Sequence, residues 1–144
     1  MKKIVAILTV IACLLSAMAV AESGSTTYLK NALSSFGLAQ DFQQRLKTLA
    51  GRDAYSEIDV ELCFQYAEIQ IKLINVTLIE LDAFAHNELQ STSYFDEVLE
   101  MISQVRSLHE MGILTADAVV KTLSDSVDTC VQGVEEIFAQ LNLY

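Results

Sequence analysis

The feature that most constrains the fold is the absence of proline from all 144 residues, together with only five scattered glycines. Sheet proteins such as β-sandwiches need frequent turn residues, and this chain offers few of them. Apolar residues instead recur every three or four positions over most of the sequence, which places them on one face of an α-helix. We therefore expect an all-α fold.

Four segments have this spacing and predict four helices with short connections: residues 27–50, 56–89, 94–111 and 115–141. Amphipathic helices in this order favour a four-helix antiparallel bundle. About 123 residues follow the leader described below, which is enough for one domain with its own hydrophobic core.

The second segment is the longest and most apolar, and Ser56 is placed to cap its start. A wide apolar face begins at Ile58 and continues to Leu81. The opposite side is a polar stripe made of Glu61, Gln65, Glu68, Lys72, Asn75, Asp82 and His86. Residues 69–73 alternate like a half-buried strand. The stripe persists through several turns and favours a helix, and the pattern is compatible with a break near residues 75–77.

The third and fourth segments have narrower apolar stripes. The third stripe runs from Phe95 to Leu108, and we expect both of these residues in the core. Thr115 is placed to cap the fourth segment, and its apolar residues keep helical phase for roughly seven turns.

The first 21 residues have the parts of a secretory signal peptide: two lysines, an aliphatic run over residues 4–15, and the A-x-A cleavage site Ala19-Val20-Ala21. We expect cleavage after Ala21, which leaves residues 22–144 as a secreted, extracellular domain. The aliphatic run is shorter than the roughly 20 residues of a membrane-spanning helix. We therefore expect no transmembrane anchor.

Val10-Ile11-Ala12-Cys13 offers an alternative, because it resembles the lipobox at which a bacterial lipoprotein is acylated. That interpretation leaves residues 14–21 as an exposed apolar segment at the start of the mature protein, which is costly without a membrane or a partner. The signal peptide is therefore favoured, with Cys13 inside its apolar part.

The charge of the chain limits its partners. Nine basic and 19 acidic residues give a formal net charge of −10, and removal of Lys2 and Lys3 with the leader leaves 7 basic residues and about −12. A protein this acidic repels phosphate backbones and anionic lipid. We therefore expect no nucleic-acid partner and no polybasic membrane binding.

Cys63 and Cys130 remain after cleavage, and such a pair most simply forms one disulfide in an oxidising compartment. In a square bundle the second and fourth helices are diagonal, which leaves their inward-facing Cα atoms more than about 8 Å apart. A disulfide requires about 4.4–6.8 Å between Cα atoms. Either the bundle is flattened and the cysteines pair, which we favour, or they are two separate buried thiols.

The sequence around the two cysteines partly repeats. Residues 60–68 and 127–135 share Val, Cys, Gln and Glu at corresponding positions, and nothing outside these nine positions aligns. Two related helical hairpins produce this likeness, and so does chance similarity between two acidic amphipathic helices.

Motifs for catalysis and metal binding are missing from the sequence. His86 and His109 are the only histidines, and neither has the HExxH or Glu-x-x-His spacing of a metal site. There is no nucleophile elbow and no glycine-rich phosphate loop. An acidic cluster at residues 53–61 lacks the spacing of a calcium loop and fits the start of a helix. We therefore expect no enzyme activity, no metal and no cofactor.

Asn75-Val76-Thr77 is an N-glycosylation sequon. Asn75 lies on the polar stripe, so we expect a glycan there to point to solvent.

These patterns indicate a protein that acts by binding. The partner is either an extracellular protein or an apolar small molecule held between helices. The apolar face over residues 58–85 is broad: three close helices bury it, which we favour, or they leave a part uncovered that forms a lipid-sized cavity or an interface. The alternatives are a secreted toxin-like, salivary or reproductive-fluid effector, and a hydrolase using two of the 19 acidic residues. The sequence leaves the oligomeric state undetermined.

Overall fold

The computed structural model describes residues 23–85 and 94–141, and within these ranges the protein has four helices and no strand. These are α1 (Ser23–Ala50), α2 (Glu57–Phe84), α3 (Tyr94–Glu110) and α4 (Ala116–Gln140). The all-α prediction is confirmed. The predicted signal peptide and His86 lie outside the described residues.

α2 begins at a capping box, in which Ser56 and Asp59 satisfy each other's backbone amides. Ser56 Oγ accepts from the Asp59 amide at 3.1 Å, and the Asp59 carboxylate accepts from the Ser56 amide at 2.9 Å. The hydrogen bond from the Ser56 backbone lowers the pKa of Asp59, and the positive charge of Arg52 adds to this effect. The predicted Ser56 cap is confirmed, and the acidic residues here belong to the start of a helix.

α2 then continues without interruption to Phe84. The strand alternative over residues 69–73 is therefore wrong, and the helix has no break near residues 75–77. Thr77 fits into the helix because its hydroxyl donates to the Leu73 carbonyl oxygen one turn earlier, at 2.8 Å.

A short turn joins α3 to α4. Gly112 adopts a φ of 76°, which favours glycine, and the amide of Ile113 donates back to the Leu108 carbonyl at 2.9 Å. Thr115 then caps α4 by accepting from the Ala118 amide at 3.2 Å, as predicted.

The four helices pack around one core, with neighbours along the chain running antiparallel. Arg106 near the end of α3 contacts Glu61 near the start of α2, and Phe36 in the first half of α1 contacts Phe138 near the end of α4. α2 contacts all three other helices, whereas α1 and α3 do not contact each other in the described part of the chain. The arrangement is thus flattened, with α2 and α4 touching.

Among the described residues, the core contains 25 buried apolar residues drawn from all four helices. Three buried residues in the same ranges are polar: Gln40, Gln70 and Thr77. Two predicted core residues are instead exposed, since Ile58 is 74% accessible in the first turn of α2 and Leu108 is 37% accessible near the α3–α4 turn. No helix in the described ranges combines the length and apolar character that crossing a membrane requires.

Candidate binding surface

An exposed apolar strip runs along the side of α2 that faces away from the core. It consists of Ile69, Lys72, Val76 and Ile79, which we call the α2 outer face. The three apolar side chains are 39%, 45% and 59% accessible. With Lys72 included, the four residues are spaced three, four and three positions apart, which is the spacing of a seam between two packed helices.

The other sides of α2 explain why this face is unusual. α1 packs on one flank, where the rings of Phe42 and Tyr66 lie 5.9 Å apart, and α3 packs on another through Phe64. α4 contacts α2 as well. Three neighbouring helices thus cover most directions around α2, and the described residues leave the α2 outer face uncovered.

The charges around the α2 outer face are unsatisfied within the described part of the chain. Lys72 is exposed and forms no ion pair with a described residue. Glu80 lies at the edge of this face, and one of its carboxylate oxygens is buried without a hydrogen-bond partner. Neither Lys72 nor Glu80 forms an ion pair with a described residue, so a partner with complementary charges is favoured here.

On the α3 side of α2, a single arginine pairs with two glutamates. The Arg106 guanidinium donates to Glu61 at 2.7 Å and to Glu68 at 3.0 Å, and it lies 4.4 Å from the centre of the Phe64 ring. Burial acts to lower the pKa of Arg106, but its hydrogen bonds and ion pairs with Glu68 and Glu61 outweigh this and raise it. Arg106 thus ties α3 to α2 and is not free to bind a ligand.

A cleft of about 450 Å³ lies next to this arginine, between α2 and α3. Glu57, Glu61, Glu110 and Arg106 contribute charged groups to its walls. His109 also lines it, but a ring nitrogen of His109 is 2.8 Å from the Leu114 carbonyl oxygen, which ties the ring to the α3–α4 turn. Such walls suit a polar ligand better than an apolar one.

Cys63 and Cys130 are both buried as free thiols, and they do not lie at disulfide distance. The flattening that a disulfide requires is present, but the predicted pairing is absent from this structure. Contact between two helices brings only a few residues of each within bonding distance, and these two are not among them. Burial raises the pKa of Cys63 to about 12 and that of Cys130 to about 11.

The predicted glycosylation site is partly buried rather than open to solvent. Asn75 is half-buried, and its side-chain oxygen is buried without a hydrogen-bond partner in the described structure. Thr77 of the same sequon is fully buried. Glycosylation of Asn75 stays a prediction, and a glycan there would be attached to a half-buried side chain.

Two notable residues were not singled out from the sequence. Arg106 is the only lysine or arginine in α3, and it directly follows the core residue Val105. This lone cation beside the core could have been noticed in the sequence. Gln70 interrupts a run of isoleucines in α2, and the structure buries it completely. No group of three or more potential metal ligands occurs among the described residues.

Comparison with protein-family models, with curated proteins and with solved structures finds no match to this chain.

Proposed function

We propose that this protein is a secreted, non-catalytic binding protein whose partner is another protein. Its leader is removed after Ala21, and the acidic helical domain of residues 22–144 acts outside the cell. The partner docks on the α2 outer face. The observation that supports this is an apolar, helix-spaced strip left uncovered on the helix that otherwise organises the core.

A protein partner fits this surface better than a small apolar ligand. The α2 outer face is an elongated strip of about three helical turns, the shape against which another helix packs. Apolar ligands require enclosed apolar cavities, whereas the cleft between α2 and α3 is lined by three glutamates and Arg106. The large core side chains, such as Phe36, Phe64 and Phe138, are already buried against their neighbours.

A site-specific photo-crosslinker tests this function. In this test, p-benzoylphenylalanine replaces Val76 in the secreted protein. Irradiation in extracellular fluid from the organism that produces the protein should yield a discrete adduct, which mass spectrometry identifies. The same replacement at Gln104, which is exposed on α3, is the control and should yield little adduct.

A second pair of variants shows whether the α2 outer face itself is responsible. Ile79→Glu should remove the Val76 adduct, because a carboxylate placed in the apolar seam must be desolvated on binding. Ile113→Glu makes the same change at an exposed isoleucine on the α3–α4 turn and should leave the adduct intact. Equal crosslinking from Val76 and Gln104 contradicts the proposed function.

The secretory part of the proposal has its own test. N-terminal sequencing of the protein from its source should begin at Glu22. A product that begins at Met1 contradicts export through a cleaved leader.

A further inference from the structure

The α2 outer face is close to symmetric about Val76. Lys72 lies four residues before Val76 and Glu80 lies four residues after it. Because a helix has 3.6 residues per turn, four residues advance the direction by about 40° beyond one full turn. Lys72 and Glu80 therefore flank Val76 on opposite sides, at equal distances along the helix axis.

We propose that the partner which covers the α2 outer face is a second copy of this chain, packed antiparallel across a twofold axis at Val76. This inference rests on the proposed function and names the partner of the same surface. The twofold axis brings Lys72 level with the partner's Glu80, and Glu80 level with the partner's Lys72. An isologous contact uses every such pair twice.

The pairing satisfies the groups that the single chain leaves unsatisfied. Neither Lys72 nor Glu80 forms an ion pair with any described residue of its own chain. Around them, Val76 meets its symmetry copy, while Ile79 and Ile69 lie opposite Leu73 and Ala83 of the facing helix. Apolar groups thus meet apolar groups, and each charge meets its opposite.

The size of the surface sets the expected strength of the dimer. One helix face is smaller than the roughly 800 Å² that each partner contributes to a standard interface. The net negative charge on each copy also opposes association. We therefore expect a dimer that dissociates on dilution and is strengthened by moderate salt, which screens the long-range repulsion.

Charge reversal with rescue tests the proposed register in the secreted protein. Sedimentation equilibrium should show a monomer–dimer equilibrium in the unsubstituted protein. Lys72→Glu and Glu80→Lys should each raise the dimer dissociation constant about tenfold or more, since each places like charges together at two symmetric contacts. The double reversal should restore it to within about threefold.

Recovery of dimerisation in the double reversal can arise only from a contact between two chains. Lys72 and Glu80 are eight residues apart on one helix, about 12 Å along its axis, so they do not pair within a chain. Lys121→Glu makes the same charge change at an exposed lysine on α4 and should leave the dissociation constant unchanged. Circular dichroism of each variant checks that the helices remain.

Each outcome supports or overturns a defined part of the proposal. A monomer at every concentration overturns self-association. A Val76 crosslink to a different protein then keeps the proposed function, and no specific crosslink removes both. A dimer that is indifferent to charge reversal, or that the double reversal does not restore, overturns the antiparallel register at Val76. A Val76 adduct with the mass of two copies supports the register and the function together.

Discussion

Replacing Gln70 with methionine should stabilise the protein, although it removes a polar side chain near the middle of α2. Gln70 is 0% accessible, and neither its side-chain nitrogen nor its side-chain oxygen has a hydrogen-bond partner. In the unfolded chain both atoms bond to water. Folding therefore removes those bonds and replaces neither of them.

The magnitude follows from two opposing contributions. Relief of a buried unsatisfied amide is worth about 1–3 kcal/mol. Methionine has a similar length and a flexible apolar side chain, so imperfect packing costs less than about 1.5 kcal/mol. We expect Gln70→Met to raise the free energy of unfolding by about 1 kcal/mol, which corresponds to roughly 4 °C in Tm for a domain of this size.

Urea denaturation followed by circular dichroism, with Tm from calorimetry, measures this change. Gln65→Met is the matched control, because Gln65 is exposed on the same helix and should change stability by less than about 0.5 kcal/mol. A Gln70→Met variant that is less stable than the unsubstituted protein would refute the reasoning. That result means that the buried amide is satisfied in solution and contributes to the fold.

Three further predictions concern Arg106 and the two buried cysteines. Arg106→Met should lower the free energy of unfolding by about 1–2 kcal/mol in urea denaturation, because it leaves Glu61 and Glu68 without their cation and removes the contact with Phe64. Arg106→Lys should recover only part of this, since an ammonium cannot fork to both carboxylates, and full recovery contradicts the bridging role. Cys63 and Cys130 should resist iodoacetamide in native protein at pH 8 and react fully in urea without reductant, and a mass two daltons lower with no alkylation in urea contradicts the free thiols. Burial raises both thiol pKa values above the ordinary 9.0, so the thiols ionise more readily in the unfolded chain than in the folded one. The free energy of unfolding should therefore be unaffected by the thiols below pH 9 and fall as pH rises towards 11–12. Tm measured against pH detects this fall, which should be shallower in the double Cys→Ala variant.

The helices could be predicted because their signals are local. Apolar spacing, the caps at Ser56 and Thr115, and the glycine after α3 act within a few residues of chain. The structure places all four helices within a few residues of the predicted ranges. The alternation over residues 69–73 was also local, but it was too short to compete with the pattern of the whole segment.

The apolar spacing in the sequence did not reveal how much of the apolar surface of α2 the other helices would cover. Ile58 and Ile79 belong to the same apolar helix as Leu78, yet both are exposed while Leu78 is buried. The difference depends on the positions of the other three helices, which cover some directions around α2 and leave one open. Gln70 is the converse case, a polar residue in a direction that the packing closed.

Composition and periodicity by themselves determined that this chain is acidic and helical, and the approximate extent of its four helices, because these properties depend on neighbouring residues. Only the tertiary structure decided that Cys63 and Cys130 lie apart, which carboxylates share Arg106, and which side of α2 stays open. These features join residues that are tens of positions apart in the chain. They depend on the angle and depth at which whole helices pack against one another, and no short stretch of sequence specifies that geometry.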